Sequence, residues 1–123
     1  MTNKTSEIIS TSIDLMKYTY TITSNPKRYP KKFITLVQEI QKISMEIYKT
    51  LMCANRLQVK NISERDERIR HQTEVITMCD ELSCLIELSM EFNLIGTNTV
   101  EFWQKKISDI KYMTIAWRKK DKA

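Results

Sequence analysis

VEFWQKKISDIKYMTIAWRKKDK, residues 100–122, places Val100, Trp103, Ile107, Ile110 and Trp117 three, four or seven residues apart, with Thr114 filling the one gap. That spacing draws one stripe down a helix; a strand would alternate with a period of two. The stripe does not fade before the helix ends. Trp117 runs directly into Arg118, Lys119, Lys120 and Lys122. A large aromatic buried in the last core layer would fix the helix to its final turn. The cations beyond it would then stand at a defined end of the molecule and not on a loose tail.

The rest of the chain repeats the pattern. Only one glycine (Gly96) and two prolines (Pro26, Pro30) interrupt 123 residues, which favours long helices and few loops. Ile9, Ile13, Met16 and Tyr20 predict an inward stripe on a first helix over 5–24, ended by Asn25-Pro26. Pro30 suits the first turn of a second helix over 30–57. Its stripe is Phe33, Leu36, Val37, Ile40, Ile43, Ile47, Leu51 and Ala54. Ser63 with Asp66 reads as the cap of a third helix over 63–94, carrying Ile69, Val75, Ile76, Cys79, Leu82, Ile86 and Met90. Gly96 fits a left-handed C-terminal cap, and Asn98 with Glu101 a capping box opening a fourth helix over 98–119. Four helices with short connections predict an all-α fold: an antiparallel up-down-up-down bundle, with residues 1–123 as a single domain.

The apolar surface is wider than one core needs. Met78, Leu85 and Phe92 flank the stripe of the third helix at seven-residue spacing, and Ile8, Leu15 and Ile22 form a second stripe on the first. Phe102 and Met113 do the same more weakly on the fourth. Large apolar patches are uncommon on monomers. A tight bundle could bury so wide a face within itself; the sharper expectation is that these six positions on helices one and three bury against other copies of the chain.

Lys and Arg outnumber Asp and Glu by 20 to 15, a basic excess compatible with a polyanionic partner. An up-down bundle brings the second connection and the C-terminus to one pole. Arg56, Lys60, Arg65, Arg68, Arg70, Arg118, Lys119, Lys120 and Lys122 would gather there, with Lys4 beside them, facing fewer carboxylates: Glu7, Glu64, Asp66, Glu67 and Asp121. Lys105, Tyr112 and Lys119 add a seven-residue row on the outer side of the fourth helix. Clusters of this kind bind phosphate backbones with little sequence preference. The expected nucleic-acid contacts are Arg56, Lys60, Arg65, Arg68, Arg70, Lys105, Arg118, Lys119 and Lys120. A second basic group, Lys27, Arg28, Lys31 and Lys32, lies at the opposite pole.

Several function classes are disfavoured. The sequence has no Gly-rich phosphate loop, nucleophile elbow or H-E-x-x-H helix. His71 is the single histidine and has no orienting partner legible in the sequence, and Glu67 precedes Arg70, not His71, by three, so no di-iron E-x-x-H pair exists. No catalytic residue, cofactor or metal site is expected. Three cysteines (Cys53, Cys79, Cys84), without C-x-x-C spacing, read as reduced thiols in or near the core. No transmembrane segment or signal peptide is evident, so no membrane association is expected and the cytoplasm is the expected location.

YPKKFITLVQEIQKISMEIYKTLMCAN (29–55), ERIRHQTEVITMCDELSCLIELSMEFNLI (67–95) and FWQKKISDIKYMTIAWRK (102–119) together resemble a family of small four-helix bundles. The family comprises the accessory variability determinants of diversity-generating retroelements and the intervening-sequence proteins of bacterial large-subunit ribosomal RNA. The likeness spans about residues 13–120. It is clearest at Tyr29-Pro30-Lys31, at Ala54-Asn55, and at Ile115-Ala116-Trp117 before a basic residue. The resemblance implies a homopentameric barrel of bundles, binding to RNA or DNA, and partnership with a reverse transcriptase in mutagenic cDNA synthesis. The competing reading is a structural or protein-binding bundle whose basic surface is incidental.

Overall fold

The computed structural model describes residues 3–123, with side chains from Thr5 onward. Four helices carry the chain: α1 (Asn3–Thr23), α2 (Ile34–Arg56), α3 (Ile62–Glu91) and α4 (Thr97–Lys122). There is no strand among the described residues. Each helix packs on its two neighbours in a ring, α1 on α2 and α4, and α3 on α2 and α4, with no diagonal packing among the described residues. Side-chain bonds link opposite ends of neighbouring helices. Gln41 Nε2, near the start of α2, donates to Thr23 Oγ1 at the end of α1 (2.9 Å). Trp103 Nε1, early in α4, donates to Thr19 Oγ1, late in α1 (3.1 Å). The helices therefore run antiparallel, as a four-helix bundle. None of them is long and apolar enough to cross a membrane.

The helix ends differ from the sequence expectation for local reasons. Pro30 opens a 3₁₀ turn, Lys31–Phe33, and α2 proper starts after it. Asn61, not Ser63, caps α3: its Oδ1 accepts from Glu64 N (3.2 Å). Gly96 is not the left-handed residue. Asn93 takes that role at φ 60°, with Leu94 N donating to Ser89 O (3.0 Å) and Asn93 N to Met90 O (2.9 Å). This is a Schellman closure, for which asparagine is the usual alternative to glycine. Gly96, extended at φ −92°, starts α4, with its carbonyl accepting from Val100 N (3.1 Å). The helix thus begins before the Asn98–Glu101 pair, which forms no capping box.

The inward face of α4 matches its sequence stripe; that of α2 matches from Val37 to Ala54, with Ser44 and Thr50 also turned inward and Phe33 and Leu36 only half-buried. Val100, Trp103, Ile107, Ile110, Thr114 and Trp117 are all buried. Helix α1 is rotated from its expectation. Of the expected stripe, Ile9 is buried but Ile13, Met16 and Tyr20 are only half-buried, while Ile8 and Leu15 are buried in the chain's own core, at 1% and 0% exposure. The cause lies in the small hydroxyl residues between them. Ser12, Thr19 and Thr23 turn inward, and each hydroxyl is satisfied: Ser12 Oγ donates to Ile9 O (2.6 Å), Thr23 Oγ1 to Thr19 O (2.7 Å), and Thr19 Oγ1 accepts from Trp103. A buried indole N–H needs an acceptor, and Thr19 supplies it. Small residues at this seam also leave room for the indole ring.

The thiols divide. Cys79 is buried in the core, where desolvation, with Asp80 adding to it, pushes its pKa to about 12 against the opposing pull of Lys111. Cys53 and Cys84 are exposed, contrary to the expectation that all three lie in or near the core. Cys84 stands five residues after Cys79, which turns it well away from the inward stripe.

Trp103 is fully buried and Trp117 is 8% exposed. Replacing either by alanine is expected to cost about 3–5 kcal/mol in urea denaturation. A loss below about 1 kcal/mol for Trp117→Ala would place that ring on the surface.

Candidate nucleic-acid interface

The pole expected to bind phosphates is built from the end of α2, the 57–61 connection, the start of α3 and the end of α4. The connection is pinned. Glu64 Oε1 accepts from Gln58 N (3.3 Å), and Arg65 N donates to Asn61 O (2.8 Å). Arg56 and Lys60 project from this frame and are exposed.

The nine expected contact residues do not behave as one set. Arg68 is turned inward. Its Nε donates to Asp121 Oδ2 (2.7 Å), its Nη2 to Asp121 Oδ1 (3.3 Å) and its Nη1 to Leu57 O (3.1 Å). The guanidinium carbon also lies 4.8 Å from the centre of the Trp117 ring. Gln72, fully buried, donates from Nε2 to Asp121 Oδ2 (2.7 Å). Asp121 itself is 6% exposed. A carboxylate in the last turn of a helix opposes the macrodipole, and burial raises its cost further. Arg68 and Gln72 offset both. Arg68 is therefore a structural residue of this pole and is withdrawn from phosphate contact.

Two more cations are engaged at the surface. Arg70 pairs with Glu67 and Glu74, each at 3.4 Å, and Lys105 with Asp109 at 3.0 Å. Exposed pairs of this sort contribute little to stability and open readily. Lys105 also stands 14 residues before Lys119, roughly 21 Å along the helix, so it does not belong to the pole. Arg118 donates to Thr73 Oγ1 (3.2 Å) and keeps its charge unpaired. Arg56, Lys60, Arg65, Lys119, Lys120 and Lys122 have no carboxylate partner among the described residues. The Lys4 side chain lies outside the described residues. Lys122, which is outside the nine expected contacts, joins this group of free cations.

The remaining chemistry is sparse. His71 sits between two carboxylates, Nδ1 3.4 Å from Glu74 Oε2 and Nε2 3.8 Å from Glu67 Oε1, neighbours one turn away in either direction along α3. Among the described residues, no group of three His, Cys, Asp or Glu side chains could hold a metal ion. At the opposite pole, Arg28 donates to Thr99 Oγ1 (2.9 Å) and Lys32 lies 5.5 Å from the Phe33 ring centre. Of the positions expected to meet other copies, Ile8 and Leu15 are inside the bundle. Ile22, Met78 and Leu85 are half-buried against the core, and Phe92 is 51% exposed.

Comparison with protein-family models, with curated proteins and with solved structures finds no match to the chain.

Asp121→Ala strands the Arg68 guanidinium, and is expected to cost about 3–5 kcal/mol in urea denaturation, the usual loss when one partner of a buried pair is removed. Replacing both partners by apolar residues, Arg68→Met with Asp121→Leu, should cost less than Asp121→Ala alone. A single-variant loss within about 0.5 kcal/mol of zero would make the pair an ordinary surface contact.

Proposed function

We propose that the chain is a non-enzymatic nucleic-acid-binding accessory protein that acts in the cytosol beside a retroelement reverse transcriptase and supports mutagenic cDNA synthesis. The observation that carries the nucleic-acid part is the group of cations without carboxylate partners at one pole: Arg56, Lys60, Arg65, Arg118, Lys119, Lys120 and Lys122. Phosphates of any sequence would satisfy them, because contacts to the backbone carry no sequence information. The transcriptase partnership rests on the sequence resemblance at residues 29–55, 67–95 and 102–119.

Self-assembly belongs to the same reading. With Ile8 and Leu15 in the core, what the expected interface still presents at the surface is the half-buried Ile22 and the α3 flank of Met78, Leu85 and Phe92, to which the 41%-exposed Leu88 adds. Phe92 meets Phe33 at 5.4 Å between ring centres, so the patch continues onto the start of α2. A ring of five bundles would repeat each basic pole and multiply weak contacts through effective concentration. Light scattering should then give a mass several times the 14.6 kDa of one chain, and a monomer at all concentrations would end the assembly proposal.

A second reading, an interaction bundle with an incidental basic surface, draws support from the engagement of Arg68, Arg70 and Lys105 with carboxylates. One titration separates the two. Log affinity for RNA or DNA of mixed sequence should fall linearly with log salt. Replacing Lys119, Lys120 and Lys122 by Gln should flatten that slope by about 2–3, at roughly 0.7 to 0.9 for each phosphate no longer neutralised. Arg70→Gln with Lys105→Gln, which removes cations that must first leave a carboxylate, should flatten it less than the triple variant does. An unaltered slope in the triple variant, or no binding by the intact chain, favours the interaction bundle.

A further inference from the structure

The aromatic rings of α4 are divided between two environments. Trp103 and Trp117 are core residues, whereas Phe102 and Tyr112 are 54% and 65% exposed. Leaving a large apolar side chain in water forgoes much of the roughly 1.5–3 kcal/mol that its burial would return. Both exposed rings also have ammonium groups beside them. Lys106 Nζ lies 4.7 Å from the Phe102 ring centre, and Lys111 Nζ, which Asp80 Oδ1 holds at 2.7 Å, lies 5.8 Å from that of Tyr112. Tyr18 on α1 extends the first ring, tilted at 58° and 5.1 Å between centres.

The placement is directional. At about 100° per residue, Phe102 and Tyr112 lie roughly 80° apart around α4 and roughly 15 Å apart along it, on the outer side. Lys119 falls seven residues beyond Tyr112 on the same side, and Lys120 lies in line with Phe102. The aromatic row thus leads into the unpaired cations of the pole. Acidic groups are present on this face, but two of them are already matched: Asp14 with Lys106 at 3.4 Å and Asp109 with Lys105 at 3.0 Å. Glu101 and Glu7, the latter lining the same depression as Tyr112, are not.

Charges alone would hold a duplex and a single strand alike. Exposed rings flanked by cations can stack only on bases whose faces are free. We infer that the outer face of α4 is a single-strand path, in which Tyr112 and Phe102 stack on unpaired bases while Lys119 and Lys120 hold the adjoining phosphates. The inference rests on the proposed nucleic-acid function and narrows its ligand from nucleic acid in general to unpaired strands.

The test compares a single strand of mixed sequence, about 20 nucleotides long, with the same sequence as a duplex, by fluorescence anisotropy. Tyr112→Ala should lower single-strand affinity about five-fold or more, the lower end of what removing one base-stacking aromatic costs. Duplex affinity should change less than about two-fold. Phe102→Ala should act in the same sense, and Phe102→Leu serves if the alanine variant loosens the packing against Tyr18. Tyr112→Trp should keep single-strand binding, and its emission should be quenched by the single strand but not by the duplex. Trp103 and Trp117 are too buried to stack. If the intact chain binds both forms and the aromatic variants weaken neither, or weaken both equally, the single-strand path is overturned while the basic pole stands. If the intact chain binds neither form, the nucleic-acid function itself fails. If Tyr112→Ala instead lowers the mass seen by light scattering and leaves binding intact, the face is a contact between copies and the inference is wrong.

Discussion

The Arg68–Asp121 pair closes the bundle at the end where the chain is most basic. Its geometry is bidentate, its surroundings are nearly dry, and Gln72 and the Leu57 carbonyl add hydrogen bonds, while the buried Gln72 Oε1 is itself without a partner. Trp117 lies beneath the guanidinium, one turn before Asp121. These contacts tie the last turn of α4 to the first turns of α3 and to the start of the α2–α3 connection. Without them, an acidic residue in a final helical turn would favour fraying, since it opposes the local dipole. With them, the helix stays ordered to Lys122.

That closure decides which charges are left to act. It removes one arginine and one aspartate together, so the net charge of the pole is unchanged, but the guanidinium best suited to bidentate phosphate contact is inside. What remains outside is lysine and arginine in equal number: Lys60, Lys119, Lys120 and Lys122 with Arg56, Arg65, Arg118 and the surface-paired Arg70. In the proposed reading, such a surface holds a phosphate backbone through its charge, which fits a role in holding nucleic acid for another component. In the same reading, the exposed rings of α4 supply the discrimination that charge lacks, between stacked and unstacked bases. One helix would then present a buried face that sets the fold, an end that attracts phosphates, and an outer face able to sort single strands from duplexes.

Much of this is legible in the sequence where large apolar residues decide the outcome. The α4 stripe from Val100 to Trp117 is the inward face, residue for residue, and every apolar residue read on α2 from Val37 to Ala54 is buried, with the unread Ser44 and Thr50 beside them. Legibility fails where small polar residues decide. On α1 both possible stripes are apolar, and Thr19 and Ser12 choose between them by accepting an indole N–H and by bonding back to the helix. Counting apolar residues gives no weight to either. Asn93 and Gly96 are hard to tell apart in the sequence because both residue types tolerate unusual backbone, and only the hydrogen bonds of Leu94 and Asn93 show which one turns left. Arg68 reads as a surface residue because its partner is 53 residues away along the chain. A carboxylate alone among the terminal lysines is the available signal, since Asp121 needs a reason to be there.

Amide hydrogen exchange along α4 tests the closure most directly. Local opening of a helix end is visible as exchange faster than global unfolding allows. If the Arg68–Asp121 pair and Trp117 lock the pole, amides from Ala116 to Lys122 in the intact chain should be protected comparably to Ile110. Asp121→Asn should release that segment while leaving the amides around Ile107 protected. A final two turns that exchange as a frayed end in the intact chain, at rates Asp121→Asn does not alter, would contradict the account.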